Sequence, residues 1–166
     1  MRRFYNFFLA GILFGGLTLP VCAADLKLEA RLIWGANDSD AANIANGTNT
    51  VKYQPVAPEL SDKLHRMFKW KNYYEITNKT ARIGLNQTND LKMSDVCTIR
   101  VKNLGSSRVE ISCIGHGKQI HKGNYTLVPP QWLVLGGNGT DNTAWFVGLR
   151  AIDGKTPDPK KAISKN

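Results

Sequence analysis

The sequence has few of the residues, and none of the short motifs, on which most enzyme classes depend. It contains 13 Asp or Glu residues and three His among 166 residues. The acidic residues are scattered along the chain, so no carboxylate pair typical of a glycosidase stands out. No GxSxG, HExxH, Walker-type or GxGxxG motif occurs. The sequence therefore does not identify an activity.

Other absences limit the class of protein. The 15 Gly show no fixed period, and no helical heptad pattern or set of long apolar runs follows the first 20 residues. With 42% apolar residues, the composition excludes collagen, a long coiled coil, a multi-span membrane protein and a fully disordered chain. The length is sufficient for one domain.

The N-terminal segment has the features of a secretory signal peptide over residues 1–24. Arg2 and Arg3 precede an almost wholly apolar stretch at 7–19, and Pro20 and small residues follow. The stretch is shorter than the roughly 20 residues of a membrane span. The pattern predicts a cleaved bacterial signal and a periplasmic or extracellular protein without a transmembrane span in its mature form. Lipid anchoring at Cys22 is an alternative.

The charge of the chain is basic but spread out. Removal of residues 1–24 takes away two Arg and no acidic residue, which leaves 20 basic and 13 acidic residues. Part of the excess lies in residues 154–166, which contain four Lys and little to bury, and which we predict to be a disordered basic tail. No dense Lys or Arg block occurs, so we expect a solvated surface rather than a specific nucleic-acid site.

The mature chain reads mainly as strands. Residues 25–34 alternate apolar and polar side chains, which is typical of a half-buried strand. Further strands are predicted at the following ranges: 70–77, 80–85, 96–114 as a hairpin, 118–127, 132–135 and 143–152. Trp132 to Leu135 are apolar on both faces of their strand, as are the residues after Thr143, and this pattern is typical of strands in the middle of a layered structure. Residues 35–56 and 86–95 read as loops, and Gly136 to Gly139 as the start of a hairpin turn.

One helix is predicted at 58–68. Pro58 suits a first helical turn, and Glu59 follows where the helix dipole favours a negative charge. Leu60, Leu64, Met67 and Phe68 form one apolar stripe. Together these elements predict a mainly β domain at residues 25–153, either a single β-sandwich or an open barrel of about seven or eight mostly antiparallel strands.

The hairpin at 96–114 contains both cysteines that remain after signal removal. If the turn centres on Gly105, Cys97 lies opposite Cys113 and Arg100 lies opposite Glu110. Because export leads to an oxidising compartment, this register predicts a Cys97–Cys113 disulfide, provided that the strands pinch slightly. The alternative is two buried thiols that pack as small apolar groups.

One segment suggests a binding surface. Trp70, Lys71 and Tyr73 place aromatic rings beside a basic side chain, and exposed rings of this kind can stack on sugars or bases. The alternative interpretation is structural, with Trp70 and Tyr74 in the core and Tyr73 on the surface.

Three functional hypotheses remain open. The first is an exported, non-catalytic β-domain of the cell envelope that binds polysaccharide, another exported protein or itself through an edge strand, without a cofactor or metal. The second is a small hydrolase-type enzyme that uses His116 or His121 as its base. The third is a binder of anionic polymers or nucleic acid, held mainly by charge.

Overall fold

The computed structural model describes residues 25–37, 54–139 and 142–152. The predicted signal peptide, Cys22, the tail at 154–166 and most of the 35–56 loop lie outside these residues. Within the described residues, no helix is both long enough and apolar enough to span a bilayer.

The described chain forms nine strands and one helix. In chain order the elements are β1 (Leu26–Ala36), β2 (Gln54–Pro55), α1 (Pro58–Met67), β3 (Asn72–Ile83), β4 (Thr88–Lys92), β5 (Cys97–Gly105), β6 (Arg108–Gly115), β7 (Lys118–Thr126), β8 (Leu133–Asn138) and β9 (Ala144–Ala151). All strand pairs are antiparallel. One sheet has the order β2-β3-β1-β9-β8 and the other has the order β4-β5-β6-β7. The prediction of a mainly β sandwich with one helix is confirmed.

The main core lies between the two sheets. Leu28, Ala30 and Leu32 of β1 project from the five-stranded sheet, and Ile99 and Ile111 project from the four-stranded sheet; all five are buried. These positions follow the period of two that alternating strands require. We call the side of the five-stranded sheet that faces this core its inner face, and the opposite side its outer face.

A second, smaller core lies on the outer face. Helix α1 covers part of that face with Leu60 and Leu64, both fully buried, which pack with Ile33 and Phe146 of the sheet. The helix begins at Pro58, as predicted, and it ends where Phe68 adopts an extended conformation. Four of the five strands in this sheet therefore lie under a third layer for part of their length.

Strand β3 is longer than the sequence pattern suggested. The separate strands predicted at 70–77 and 80–85 are one strand, because β3 continues through Asn78 and Lys79, where it pairs with β1. A bulge leaves Ile76 without a Cα partner, so the alternation of side chains changes phase at this residue. A phase change of this kind breaks the pattern from which a continuous strand is predicted.

The β5–β6 hairpin is present, but its predicted register is wrong. The two-residue turn is Ser106-Ser107, both with positive φ, rather than a turn centred on Gly105. Cys97 therefore lies opposite Gly115, and Cys113 lies opposite Ile99. The two cysteines are diagonal neighbours, too far apart for a direct bridge. Both are free thiols, and the prediction of a disulfide is wrong.

The same shift changes the predicted charge pair. Arg100 lies opposite Ser112 instead of Glu110. Its guanidinium instead donates two hydrogen bonds of 2.7 Å to Asp90 on the neighbouring strand β4. Glu110 pairs with Lys122 of β7 at 3.1 Å. The two ion pairs therefore lie across the β4–β5 and β6–β7 strand pairs, and not across the β5–β6 hairpin.

Two expected loops contain short strands. β2 has only two residues, and β4 has one buried apolar side chain, Leu91, so neither shows a readable alternation. Gly136 and Gly137 also lie within β8 rather than in the hairpin turn that we predicted. The turn follows them, and Gly139 donates a backbone hydrogen bond of 3.0 Å to the carbonyl of Thr143.

Candidate functional site

A row of three aromatic side chains crosses the inner face of the five-stranded sheet. Trp34 of β1 lies directly opposite Tyr74 of β3 on one side and Trp145 of β9 on the other. Directly opposed residues project from the same face of a sheet, so the three side chains share one face at adjacent strand positions. We call Tyr74, Trp34 and Trp145 the aromatic row.

The strand register extends this row to both edges of the sheet. Pro55 of β2 lies opposite Tyr74, and Gly137 of β8 lies opposite Trp145. The ring centroids of Trp34 and Tyr74 are 6.1 Å apart, with planes inclined by 39°. Spacings of this size are typical of contacting aromatic rings. The result is a band of rings that runs across the strands.

The aromatic row lies at the border of the main core and not within it. The adjacent row of the same face contains Leu32 and Val147, which are 5% and 0% exposed. Trp34, Tyr74 and Trp145 are each partly exposed, although Trp145 also packs along the edge of the core. Large aromatic side chains that retain exposed surface beside a sealed core are typical of binding surfaces.

The described positions on either side of the aromatic row are uncharged, and two of them are polar. Asn72 and Ala36 occupy the paired positions two residues from Tyr74 and Trp34, and Thr77 lies opposite Leu32 on the other side. An amide and a hydroxyl can each donate and accept hydrogen bonds. The two rows next to the aromatic residues therefore combine apolar side chains with one amide and one hydroxyl group, without a charged side chain among these described positions.

Two of the three residues predicted from sequence as a binding surface, Trp70 and Tyr73, are buried. Trp70 and Tyr73 are 7% and 5% exposed and belong to the smaller core under α1. The Tyr73 hydroxyl donates to the Leu64 carbonyl at 3.3 Å, and burial raises the pKa of Tyr73. Lys71 is exposed. The two rings therefore stabilise the helix against the sheet and are not presented to solvent.

The two histidines of the enzyme hypothesis lie apart from the aromatic row. His116 occupies the β6–β7 turn with positive φ, and His121 contacts the Tyr125 hydroxyl on β7. Cys113 lies opposite His121 in the strand register, but it is 1% exposed. Burial, together with the nearby Cys97 thiol, raises the pKa of Cys113 to about 11. Since the thiolate is the reactive form, this pair does not constitute an activated nucleophile.

Charged side chains collect on a different part of the sheet, on its outer face beside α1. Glu29 is buried and accepts hydrogen bonds from Arg31 at 2.7 Å and from Arg150 at 2.8 Å. Burial opposes ionisation of Glu29, but the two guanidinium groups hold its pKa below the usual range. Both guanidinium groups also lie over the Trp132 ring. The Glu29 carboxylate and the two guanidinium groups are therefore paired with each other.

The open face of the four-stranded sheet is also charged, but most of its charges are paired. Arg100 pairs with Asp90, Lys122 with Glu110 and Lys92 with Asp95. Exposed pairs of this kind contribute little to stability, because water and salt screen the two charges. The paired carboxylates do, however, weaken the local positive potential that would attract an anionic polymer.

Comparison of the chain with protein-family models, with curated proteins and with solved structures finds no match. In the described residues, no three His, Cys, Asp or Glu side chains are grouped so that they could hold a metal ion. The sequence contained one usable signal for the aromatic row, which is the large aromatic residue at each of Trp34, Tyr74 and Trp145. Only the strand pairing shows that these residues are neighbours.

Proposed function

We propose that this protein is a non-catalytic domain that binds a neutral polysaccharide through its aromatic row. The observation that supports the proposal is the register of β3, β1 and β9, which aligns three partly exposed aromatic rings on adjacent strands. Each ring offers an apolar face against which the C–H face of a sugar can stack, and Asn72 and Thr77 offer hydrogen bonds. The predicted export of the chain would place this surface in the cell envelope or outside the cell.

The charge of the site supports a neutral ligand over an anionic one. A polymer held by charge needs Lys or Arg side chains along its path. None occupies the rows on either side of the aromatic residues among the positions described above. Stacking on a nucleobase uses the same kind of ring, but single-stranded nucleic acids also require a basic groove. We therefore favour a sugar polymer without charged groups.

The binding test is electrophoresis of the mature protein through native gels that contain soluble polysaccharides. Retardation by one or more neutral polymers, such as glucans, xylans or mannans, is the expected result. If only anionic polymers retard the protein, and this retardation is lost when the salt concentration rises to physiological levels, binding is instead driven by charge. Absence of retardation by all neutral polymers in the panel would contradict the proposal.

Two variants locate the binding surface. Trp34→Ala removes the central ring, and we expect it to lose retardation while its far-ultraviolet circular dichroism spectrum stays unchanged. Tyr125→Ala removes a partly buried ring from the four-stranded sheet, and we expect it to bind like the parent. If both variants bind equally well, the aromatic row is not the site. Incubation of each polymer with the protein should release no new reducing ends.

A further inference from the structure

Strand β8 has the sequence of a central strand but the position of an edge strand. Leu133 and Leu135 pack against the main core, and Val134 packs against the smaller core on the other face. A strand that is apolar on both faces is normally paired on both sides. Within the described residues, β8 pairs only with β9. The free side of β8 is therefore open to pairing with a further strand.

The other three edges carry features that prevent pairing with another chain. β2 ends in Pro55, which has no backbone N–H group to donate. β4 carries Asp90 and Lys92, and β7 carries Lys118 and Lys122. Proline and charged side chains are the usual means of blocking an exposed edge. β8 contains neither, since its sequence is Leu-Val-Leu-Gly-Gly-Asn.

The backbone hydrogen bonds show which groups of β8 are available. Gly139 donates to Thr143, just before the β9 strand pairs begin. Hydrogen-bonded and non-hydrogen-bonded pairs alternate along an antiparallel ladder. Residues 137, 135 and 133 therefore bond to β9. The N–H and C=O groups of Val134 and Gly136 point toward the free edge.

We propose that β8 pairs antiparallel with β8 of a second copy of this chain, about a two-fold axis at Leu135. In this register Val134 of each copy exchanges hydrogen bonds with Gly136 of the other, which gives four new backbone bonds. Leu135 lies opposite its own equivalent, and Leu133 lies opposite Gly137. Five of the six β8 residues take part. The two five-stranded sheets become one continuous ten-stranded sheet.

The register follows from the two faces of the strand. Opposed residues must project from the same face, so that the inner faces of both copies remain on the same side. A shift of one residue would place Leu135 on the outer face of the joint sheet. A second copy fits this edge because the register is self-complementary, with Leu133 of each copy opposite Gly137 of the other, which has no side chain to clash with it. In addition, β8 is the one described edge of more than two residues without a charged side chain. Two copies can approach there without bringing edge charges of like sign together.

Disulfide trapping tests this register directly. Leu135→Cys places two thiols at a non-hydrogen-bonded pair, where the Cα atoms are about 4.5 Å apart and a disulfide can form. We expect mild oxidation to convert this variant to a covalent dimer. The mature parent protein, whose cysteines are Cys97 and Cys113, should form no covalent dimer on a non-reducing gel. The same result is expected for Ile120→Cys, on the exposed part of β7. Absence of the covalent dimer for Leu135→Cys would overturn the proposed register.

Sedimentation equilibrium tests the association without oxidation. The parent protein should have the mass of a dimer at micromolar concentrations, and Val134→Lys should have half that mass. Ile120→Lys, which adds the same charge to a different edge, should remain dimeric. A monomeric parent protein at all concentrations up to the millimolar range would overturn the proposal. Polysaccharide binding by the Val134→Lys variant is measured separately from its mass. Failure of the dimer proposal is therefore distinguishable from failure of the binding proposal.

Discussion

The indole ring of Trp145 lies across Gly137. A Cβ atom at residue 137 would come within 2.6 Å of Trp145 Cζ2 and 2.9 Å of Nε1. Real Cβ contacts are essentially never shorter than 3.0 Å, so only glycine permits this position of the ring. Gly137 therefore fixes the end of the aromatic row, although it contributes no side chain to it.

Replacement of Gly137 by Ala should displace the Trp145 ring. Because the added methyl group overpacks a formed contact, we expect a loss of about 1–3 kcal/mol in the free energy of unfolding. We also expect weaker retention by the neutral polysaccharide that the parent binds, because the ring leaves the row. Both quantities are measurable, by chemical denaturation and by affinity electrophoresis.

Gly117→Ala is the matched control. Gly117 lies in the β6–β7 turn with φ of +74°, and no atom lies within 4 Å of the position that an added methyl group would occupy. Strain at positive φ should cost about 1–2 kcal/mol, with polysaccharide binding unchanged. Equal loss of binding in both variants would show that general destabilisation, and not the position of Trp145, causes the effect.

The Glu29 carboxylate should be a main source of stability near neutral pH. Breaking a buried charge pair costs about 3–5 kcal/mol, and Glu29→Gln replaces the carboxylate shared by Arg31 and Arg150 with a neutral amide. The amide keeps one acceptor oxygen but sets an NH₂ group against one of the two guanidinium groups. We expect a loss in this range by urea denaturation at pH 7. Glu110→Gln, in the more exposed pair with Lys122, should cost less than about 1 kcal/mol.

Ionisation of Glu29 should also make the stability of the protein depend on pH. The folded-state pKa of Glu29 is lowered, so its ionised form stabilises the fold above the unfolded-state pKa of about 4.3. That contribution is lost as the pH falls through the lower folded-state pKa. The free energy of unfolding of the parent should therefore decrease below about pH 4, and that of Glu29→Gln should decrease less. Parallel curves for the two proteins would contradict this assignment.

Both thiols should be free and slow to react. Burial raises the pKa of the Cys97 thiol and raises that of Cys113 to about 11, with Cys97 adding to the second effect. At pH 8 the native protein should react with iodoacetamide far more slowly than the same protein in guanidinium. A native mass that increases by two hydrogens on reduction would reveal a bridge and contradict the free-thiol assignment.

Substitutions in the Ser106-Ser107 turn should raise the stability of the protein. Both residues have positive φ, 52° and 60°, which matches a type I′ turn, and such turns favour Asn-Gly. A left-handed conformation costs a residue with a side chain about 1–2 kcal/mol. We expect Ser106→Asn combined with Ser107→Gly to raise the free energy of unfolding by about 1 kcal/mol. A decrease would show that the turn is not of this type.

The sequence was sufficient to predict the architecture, because the positions of Leu28, Leu32 and the apolar residues of the β5–β6 hairpin follow the strand period. It was not sufficient to predict register. The observed turn lies one residue later than the predicted one. Each β5 residue therefore pairs with a β6 residue two positions further along the chain, and because side chains alternate with a period of two, no apolar residue changes face. Alternation therefore agrees equally well with the predicted and the observed pairing, and the disulfide prediction failed for this reason.

The exposure that a binding surface at Trp70 and Tyr73 requires was not found, for a different reason. Trp70 precedes β3, so the alternation of that strand does not determine its direction. Tyr73 projects from the outer face, which alternation alone predicts to be exposed, but α1 covers that face. Tyr74, on the opposite face, is the partly exposed ring. Which face of a sheet is covered by a helix is a tertiary property that strand periodicity does not contain.

The four tryptophans provide the most direct test of the binding site. Trp34 and Trp145 belong to the aromatic row, whereas Trp70 and Trp132 are buried in the smaller core. The measurement is a ¹H–¹⁵N correlation spectrum in which the indole N–H signals are assigned by replacing each Trp with Phe in turn. Addition of an oligosaccharide of the polymer that the protein binds should shift the signals of Trp34 and Trp145. The signals of Trp70 and Trp132 should stay in place. Shifts confined to Trp70 and Trp132, or no shift at saturating oligosaccharide, would contradict a binding site on the aromatic row.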